Sequence, residues 1–422
     1  MAPERRPAVA ARRAEPGRPA PRWRRAAAGA VVWAVSLPAL AALAVALAAP
    51  FVDPRAAWWA QATAVLLPYL AWAVVGTALV AVWQRRWRLV AIQAVLLVWA
   101  FVRTEPIARL GAAPCADPAA ECGDAVRLVS FNVPGGIPRN GVRDSMLAFV
   151  RREGPAVLAM QDSWVRGPRR SEPAWRAPQI QVLLDSLPAF DLAVPAALPG
   201  VGGWKRDATG VPLLVADGGP AVLEQEAVIV SDPADNTASQ AIRSVLRWRG
   251  RDLVLYNVHI RSFGDPKPWA DSTLRLTEPA TWGPVAGNLR QVYRDRAIDV
   301  DRIVEAIAQE TLPVIVAGDF NSTADNWTYR RLRRAGGVAR DDAFREGAGW
   351  RWGRTYHARR PAFRIDHVLT DPRLEVVAAE TRAVGFSDHR PVLVGLRWRD
   401  GAAEPGAPLT PAAPDSAAAA AP

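Results

Sequence analysis

The sequence predicts an α/β domain of two stacked β-sheets set behind an apolar N-terminal region. Three observations carry that expectation. Beyond residue 125, short apolar runs rich in Val, Leu and Ile recur along the chain, as buried strands do. A few amphipathic stretches with helical spacing stand between them and belong on outer faces, so the strand-dense blocks stack as sheets rather than forming one parallel sheet. Ahead of this region, three apolar runs lie between Arg-rich flanks.

Residues 1–25 hold eight Arg and two Glu among Ala and Pro, and are expected to form a disordered cytoplasmic tail. The runs at about 26–52 and 56–83 are each long enough to cross a bilayer. The third, about 88–103, is short for a span. Trp87 and Arg88 extend it by sitting at the interface, and the alternative is a re-entrant or interfacial helix. Arg85, Arg86 and Arg88 make a second basic cluster, whereas the loop Asp53-Pro-Arg55 is neutral. The positive-inside rule puts both basic segments in the cytoplasm, so three spans would deliver everything downstream to the outside. Residues 104–124 read as a linker. Cys115 and Cys122, the only cysteines, lie there with six residues between them and fit a small disulfide loop in an oxidising compartment.

Charge narrows the function. The net charge is +11; +6 in residues 1–25 and +3 in residues 84–88 leave +2 for the chain from Pro106 onward. The basicity therefore belongs to the membrane flanks and not to a nucleic-acid-binding face of the downstream domain.

Within that domain the elements follow in order. Residues 126–133 alternate as a strand, and 140–153 fit a helix with Met146, Leu147, Phe149 and Val150 on its apolar side. Residues 156–161 are a buried strand ending in Gln161-Asp162, and 179–187 a short helix. Strands are expected at about 190–194, 211–216, 221–230 and 241–249, with Gly250 in a turn into 252–259. Residues 261–283 look like a Pro/Trp-rich insertion. A long helix over 285–310 carries Val300, Ile303, Val304 and Ile307 at core spacing. The stretch 312–322 then reads as a buried strand with a sharp exit at Gly318, placing Asp319 and Asn321 at its C-terminal end on one side of an extended segment. Such a pair can hold a hydroxide or metal with one group and a phosphoryl oxygen with the other. A helix over 326–335 and strands at 362–369, 374–384 and 391–398 complete the domain, and 400–422 is an Ala/Pro-rich tail expected to be disordered.

Nine polar residues end or follow these strands: Asn132, Asp162, Asn257, His259, Asp319, Asn321, Asp366, Asp388 and His389. Burying so many without purpose is costly, so they are expected to converge on one sheet edge. The motifs Ser130-Phe-Asn-Val133, Met160-Gln-Asp162, Asn257-Val-His259, Gly318-Asp-Phe-Asn321, Arg364-Ile-Asp-His367 and Ser387-Asp-His-Arg-Pro391 stand in the order of the endonuclease/exonuclease/phosphatase superfamily, which the chain resembles over about 126–398. The resemblance implies a DNase I-like, four-layer α/β sandwich over 125–399 with two mixed sheets. It also implies hydrolysis of phosphodiester or phosphomonoester bonds with Mg²⁺, or Mn²⁺, as cofactor. On the same grounds Asn132, Asp162 and Asp388 resemble the metal shell. His389, oriented by Asp366 or Asp388, resembles the general base that activates water, and Asp319 the group that orients the nucleophile. Asn321 and Asn257 would hold phosphoryl oxygens, and His259 would stabilise or protonate the developing charge.

One departure bears on the metal. The family has Gln-Glu where this chain has Gln161-Asp162, and Asp is one methylene shorter. The loop Pro134-Gly-Gly136 and the residue His367 also depart; His367 reads as either supportive of the site or structural. The expected partner is a phosphate-ester substrate: a lipid head group, a small molecule or, alternatively, extracellular nucleic acid. No protein partner is implied. A silent membrane-anchored binding domain is the remaining alternative, and retention of both His259 and His389 with Asp319, Asn321 and Asp388 argues against it. The expected location is the cytoplasmic membrane, multi-pass, with the catalytic domain facing out.

Overall fold

Strand β8, Val314–Asp319, shows how the interior is built: Ile315 and Ala317 face one apolar cluster while Val314 and Val316 face another. Period-two alternation buried on both faces explains why the segment is a continuous apolar run. The computed structural model describes residues 22–104, 125–133, 141–163, 183, 185–193, 210–229, 238–264, 277–347 and 353–399. The Arg-rich tail (all but its last four residues), the Cys115/Cys122 linker, the loop 134–136, most of the helix expected at 179–187 and the C-terminal tail lie outside the described residues.

Two mixed six-stranded sheets form the centre. The first contains β1 (Val126–Asn132), β2 (Val157–Gln161), β3 (Phe190–Ala193), β4 (Leu213–Ala216), β11 (Leu374–Thr381) and β12 (Val392–Trp398), in the order β11-β12-β1-β2-β4-β3. The second contains β5 (Ala221–Ile229), β6 (Gln240–Trp248), β7 (Arg251–His259), β8, β9 (Asp341–Asp342) and β10 (Asp366–Thr370), in the order β5-β6-β7-β8-β10-β9. The pairs β1–β2 and β7–β8 are parallel, and the remaining neighbours are antiparallel. Leu128, Ala159 and Val394 of the first sheet meet Leu255, Ile315 and Val368 of the second in a shared core. At one end of the sandwich Trp248 and Trp398 stack across it, with ring centroids 5.7 Å apart.

Helices cover the outer faces. The helix Val142–Glu153 lays Met146, Phe149 and Val150 on Phe131, Met160 and Leu214. The helix Pro279–Ala308 lays Val300, Ile303 and Ile307 on Val254, Tyr256 and Val316, beside the short helix Trp327–Arg333. This is the DNase I-like α/β arrangement of helix, sheet, sheet and helix. Two boundaries differ most from expectation. The long helix starts at Pro279, inside the supposed insertion, because proline is tolerated in a first turn where no backbone N–H is needed. Its opening turns hold Trp282, Gly283 and Pro284, which disguise the helical pattern. Strand β10 starts at Asp366 instead of 362, and the helix Ala343–Gly347, which inserts Phe344 into the shared core, carries no periodic signal.

The N-terminal region departs most. Among the described residues one segment, Gly29–Phe51, formed by helix α1 (Arg22–Ala48) and the turn after it, is long and apolar enough to cross a membrane. The expected continuous second span is broken: helices α2 (Pro54–Val65) and α3 (Leu67–Trp83) meet at a 64° bend. Pro68 explains the break, since its ring removes the N–H that would continue the ladder. The third apolar stretch, Trp87–Val102, is a shorter helix.

Candidate active site

Register brings the site together. Parallel pairing of β7 with β8 puts His259 opposite Asp319, and antiparallel pairing of β10 with β8 puts Asp366 opposite the same residue. His259, Asp319 and Asp366 therefore form one row across three neighbouring strands. Gly318 allows the close approach: at φ +145, a Cβ there would lie 1.8 Å from the carbonyl oxygen of Val258 on β7. The other sheet contributes Asn132, at the end of β1, and His389, just before β12.

The Asp319 carboxylate is the hub. Its Oδ2 accepts hydrogen bonds from Asn132 Nδ2 at 2.9 Å and Asn321 Nδ2 at 3.2 Å, and its Oδ1 accepts the Asn321 backbone N–H at 2.8 Å. His259 Nε2 and His389 Nε2 each lie 3.8 Å from Oδ2. Burial pushes the Asp319 carboxyl above its ordinary pKa and Asp366 adds to this, against the two histidines.

His389 Nδ1 lies 2.9 and 3.1 Å from the two carboxylate oxygens of Asp366, so this nitrogen carries the proton and donates it. Its backbone N–H donates to Ser387 Oγ, which donates to the Asn132 carbonyl at 2.8 Å, tying the two motifs together. The Tyr356 ring packs on His389 with centroids 5.0 Å apart. Burial works to strip the second proton from His389; Asp366 and Asp319, with Asp388, more than offset it and push the imidazole up to about 10. His259 goes the other way: burial outweighs Asp319 and holds it below its ordinary range, neutral at pH 7.

The carboxylate and imidazole atoms of Asp319, Asp366 and His389 lie within 4.8 Å of one another, close enough to hold an ion. The expected metal set was Asn132, Asp162 and Asp388. Asn132 and Asp388 each bury a carbonyl or carboxylate oxygen, Oδ1, that has no hydrogen-bond partner among the described residues. Such orphaned hard oxygens fit a divalent cation. Asp162 is half-buried, in the left-handed region at φ +55, and is outside the compact group.

Two expectations need correction. Asn257 was expected to hold a phosphoryl oxygen. Its amide is instead spent on the interior: Oδ1 accepts from Gln161 Nε2 at 2.7 Å, and Nδ2 donates to the carbonyls of Met160, Val211 and Pro212. It ties one sheet to the other. Asn321 does stand beside Asp319, but not through an extended segment; its φ is +46, and Nδ2 also donates to the Ile260 carbonyl at 2.8 Å. His367 is structural, packing on Phe320 and Tyr329 and bonding the Ser322 carbonyl, with burial pushing it down to about 3.

The sequence reading missed Arg296. This side chain is buried on the long helix, its Nε donating to the Arg261 carbonyl at 2.6 Å and its guanidinium lying 4.1 Å over the Phe263 ring. Neither terminal nitrogen has a hydrogen-bond partner among the described residues. Burial pulls it down to about 10, while Tyr293 and then Asp319 act to raise it. A signal was available: Arg296 falls on the same helical stripe as Val300, Ile303 and Ile307, where a charge is out of place.

The model of the endonuclease/exonuclease/phosphatase family matches residues 129–389, from β1 through His389. The chain belongs to the endonuclease/exonuclease/phosphatase family. It is a hydrolase of ester bonds, and the matched segment contains every residue of the site just described. Solved structures of similar fold include an endonuclease/exonuclease/phosphatase from Bacteroides vulgatus (19% identity, TM-score 0.45, covering 65% of this chain and 99% of that one). They also include the human Nocturnin catalytic domain with bound sulfate (15%, 0.42, 65% and 95%) and D. rerio TDP2 complexed with a single-strand DNA product (15%, 0.41, 65% and 99%). No curated protein matches the chain.

Proposed function

We propose that the chain is a membrane-anchored, divalent-metal-dependent phosphoesterase whose water is activated at His389. The observation that carries this reading is the convergence of His259, His389, Asn132 and Asn321 on one buried oxygen, Asp319 Oδ2. Asn132 and Asp388, with Asp162 beside them, would hold Mg²⁺ or Mn²⁺ against the Asp319–Asp366–His389 group. The ion would supply Lewis-acid polarisation of a phosphoryl oxygen, and its charge would compete with the proton that the carboxylates now hold on His389.

The chain's own residues divide the remaining work. Asp366 fixes the ring of His389 by accepting Nδ1–H, leaving Nε2 turned toward Asp319 to take a proton from water. Asp319 orients that water. Neutral His259 donates to a phosphoryl oxygen as charge develops, Asn321 spends both its amide hydrogens holding Asp319 and the Ile260 carbonyl in place, and the Arg296 guanidinium places a positive charge behind them. No side chain in this arrangement needs to form a covalent intermediate.

Two contacts favour a substrate presented at a bilayer surface. Tyr69 of α3 donates to the Ala362 carbonyl at 3.4 Å, and its ring packs edge-on to Phe363 at 6.2 Å. Phe363 pairs with Tyr356, which in turn pairs with His389. The apolar helices thus abut the segment that backs the catalytic histidine, and a lipid-borne phosphoester suits this placement better than duplex DNA. Three membrane crossings, an outward-facing domain over 125–399 and a Cys115–Cys122 disulfide belong to the same proposal.

The test is hydrolysis by the full chain in detergent or vesicles, comparing phospholipids, phosphomonoesters, DNA and RNA with and without Mg²⁺. Activity should vanish with chelator, and His389→Ala should lower kcat by about 10²-fold or more. Full activity in chelator would end the mechanism, and preferential cleavage of DNA or RNA would replace the lipid reading with a nuclease. Phosphatase and fluorescent-protein fusions after Trp398, with thiol labelling of Cys115 and Cys122, test the topology; a fluorescent, phosphatase-silent fusion with free thiols overturns it.

A further inference from the structure

Gln61 lies in an apolar run, on α2, yet its side chain is buried and fully hydrogen-bonded. Its Nε2 donates to the carbonyls of Ala49 at 2.8 Å and Val52 at 3.0 Å. Its Oε1 accepts the backbone N–H of Trp327 at 3.0 Å and Asn326 Nδ2 at 3.3 Å, and Asn326 Nδ2 also reaches the Gln61 carbonyl at 2.9 Å. Two donors and two acceptor positions are all in use. The reversed amide would set donors against the Trp327 and Asn326 N–H groups, so this orientation follows from its partners.

The next link leads into the site. Asn326 Oδ1 accepts both the backbone N–H and the hydroxyl of Thr323, each at 2.9 Å. Thr323 is two residues beyond Asn321, which bonds Asp319 through both its backbone and its amide. The loop from Asp319 to Asn326 is held elsewhere by Phe320 N–H on the Ile365 carbonyl and by His367 on the Ser322 carbonyl. Its far end is held by the N-terminal helices. Around the same joint, Arg55 pairs with Asp301 at 2.9 Å, and Arg330 lies over the Phe51 ring at 4.2 Å. Both of these are partly solvated and add little orientation; the Gln61–Asn326 link is dry and directional.

We propose that Gln61 is a positioning residue of the phosphoesterase: through Asn326 and Thr323 it sets the loop that presents Asp319 and Asn321, making the N-terminal helices part of the catalytic unit rather than a tether. The kinetic consequence rests on the phosphoesterase reading; the structural one does not. Substrate binding groups outside the loop are untouched by the link, so its loss acts on turnover more than on affinity.

The test uses the full chain in detergent, with bis(p-nitrophenyl) phosphate as a soluble phosphodiester and Mg²⁺ present. Gln61→Met keeps length and burial but removes the amide; Asn326→Asp keeps the acceptor for Thr323 and replaces the donor to Gln61 with a carboxylate oxygen that repels it. Each should lower kcat by about tenfold or more, the scale of a misplaced catalytic group, with KM within twofold. The double variant should be no slower than the slower single, because both break one link. Hydrogen exchange gives a readout free of activity: amides of 319–330 should exchange at least tenfold faster in Gln61→Met, while those of β1 and β12 keep wild-type rates. A folded Gln61→Met protein with wild-type exchange over 319–330 overturns the proposal. So do multiplicative losses in the double variant, or a fall in kcat/KM that comes only from KM. An inactive wild type with the expected exchange pattern would instead refute the phosphoesterase reading and leave the link standing.

Discussion

Replacing Gly318 with alanine is the sharpest perturbation of the site that adds a single methyl group. The new Cβ would stand 1.8 Å from the Val258 carbonyl oxygen, where 3.0 Å is already closer than real Cβ atoms come, so β7 and β8 must separate by about 1 Å or β8 must twist. Overpacking and a positive φ on a non-glycine residue together cost about 2–5 kcal/mol. For a domain of this size that lowers the thermal midpoint by roughly 5–15 °C. The same displacement acts on chemistry, because Val258↔Gly318 is the register pair next to His259↔Asp319. A misplacement of about 1 Å at a catalytic group costs on the order of 10²-fold in rate. The assay is paired: unfolding by differential scanning calorimetry, and kcat at a temperature where the variant remains folded. A variant within 1 °C of wild type and within threefold in kcat would refute the claim that β7–β8 contact positions the His259–Asp319 pair.

Two further outcomes follow from the geometry. Asp342, buried and held by Arg364 at 2.6 and 2.8 Å and by the Tyr329 hydroxyl at 2.6 Å, should cost about 3–5 kcal/mol when changed to Asn, because the Arg364 charge is left without its partner. Burial would raise this carboxyl, but Arg364 more than offsets it and holds it far below the carboxylate range. Its contribution is therefore present above the unfolded-state value near 4 and lost as pH falls below it, so acid unfolding should be steeper in wild type than in Asp342→Asn. Asp162→Ala should raise the Mg²⁺ concentration for half-maximal activity by about tenfold or more, and Asp162→Glu should lower it or leave it unchanged; a metal titration unaffected by Asp162→Ala would remove this residue from the metal site.

What was legible in the sequence was what repeats locally. Strands such as Val314–Asp319 announce themselves by β-branched runs, and the helix around Val300, Ile303 and Ile307 by its stripe. The site was legible as a set of strand-end Asn, Asp and His residues because their chemistry is specific. What tertiary structure alone decides was not legible. Nothing local distinguishes Asn257, whose amide is consumed between the sheets, from Asn132, whose oxygen remains unpartnered. Pro68 marks where the apolar run of spanning length breaks into two helices, but nothing local sets the 64° angle at which they meet. Gln61 was hidden because one polar residue in a long apolar run barely alters its average, and Asn326, its partner in the catalytic domain, lies 265 residues away.

The two ends of the sandwich hold the sheets together by the same forces in different proportions. At one end lie Trp248 on Trp398 and the apolar cluster around Leu396. At the other, Asn132 donates to Asp319 and Gln161 to Asn257, each bond running from one sheet to the other. Apolar contact is non-directional and tolerates sliding of one surface over its neighbour, whereas a buried hydrogen bond fixes distance and angle. The tryptophan end has one such bond of its own, Trp398 Nε1 to the Trp248 carbonyl at 3.3 Å, but the fully buried, side-chain-to-side-chain bonds between the sheets lie at the site. Since His389 and Asn132 ride on one sheet and His259, Asp319 and Asp366 on the other, the alignment pins sit where a shear of the sheets would pull the reacting groups apart.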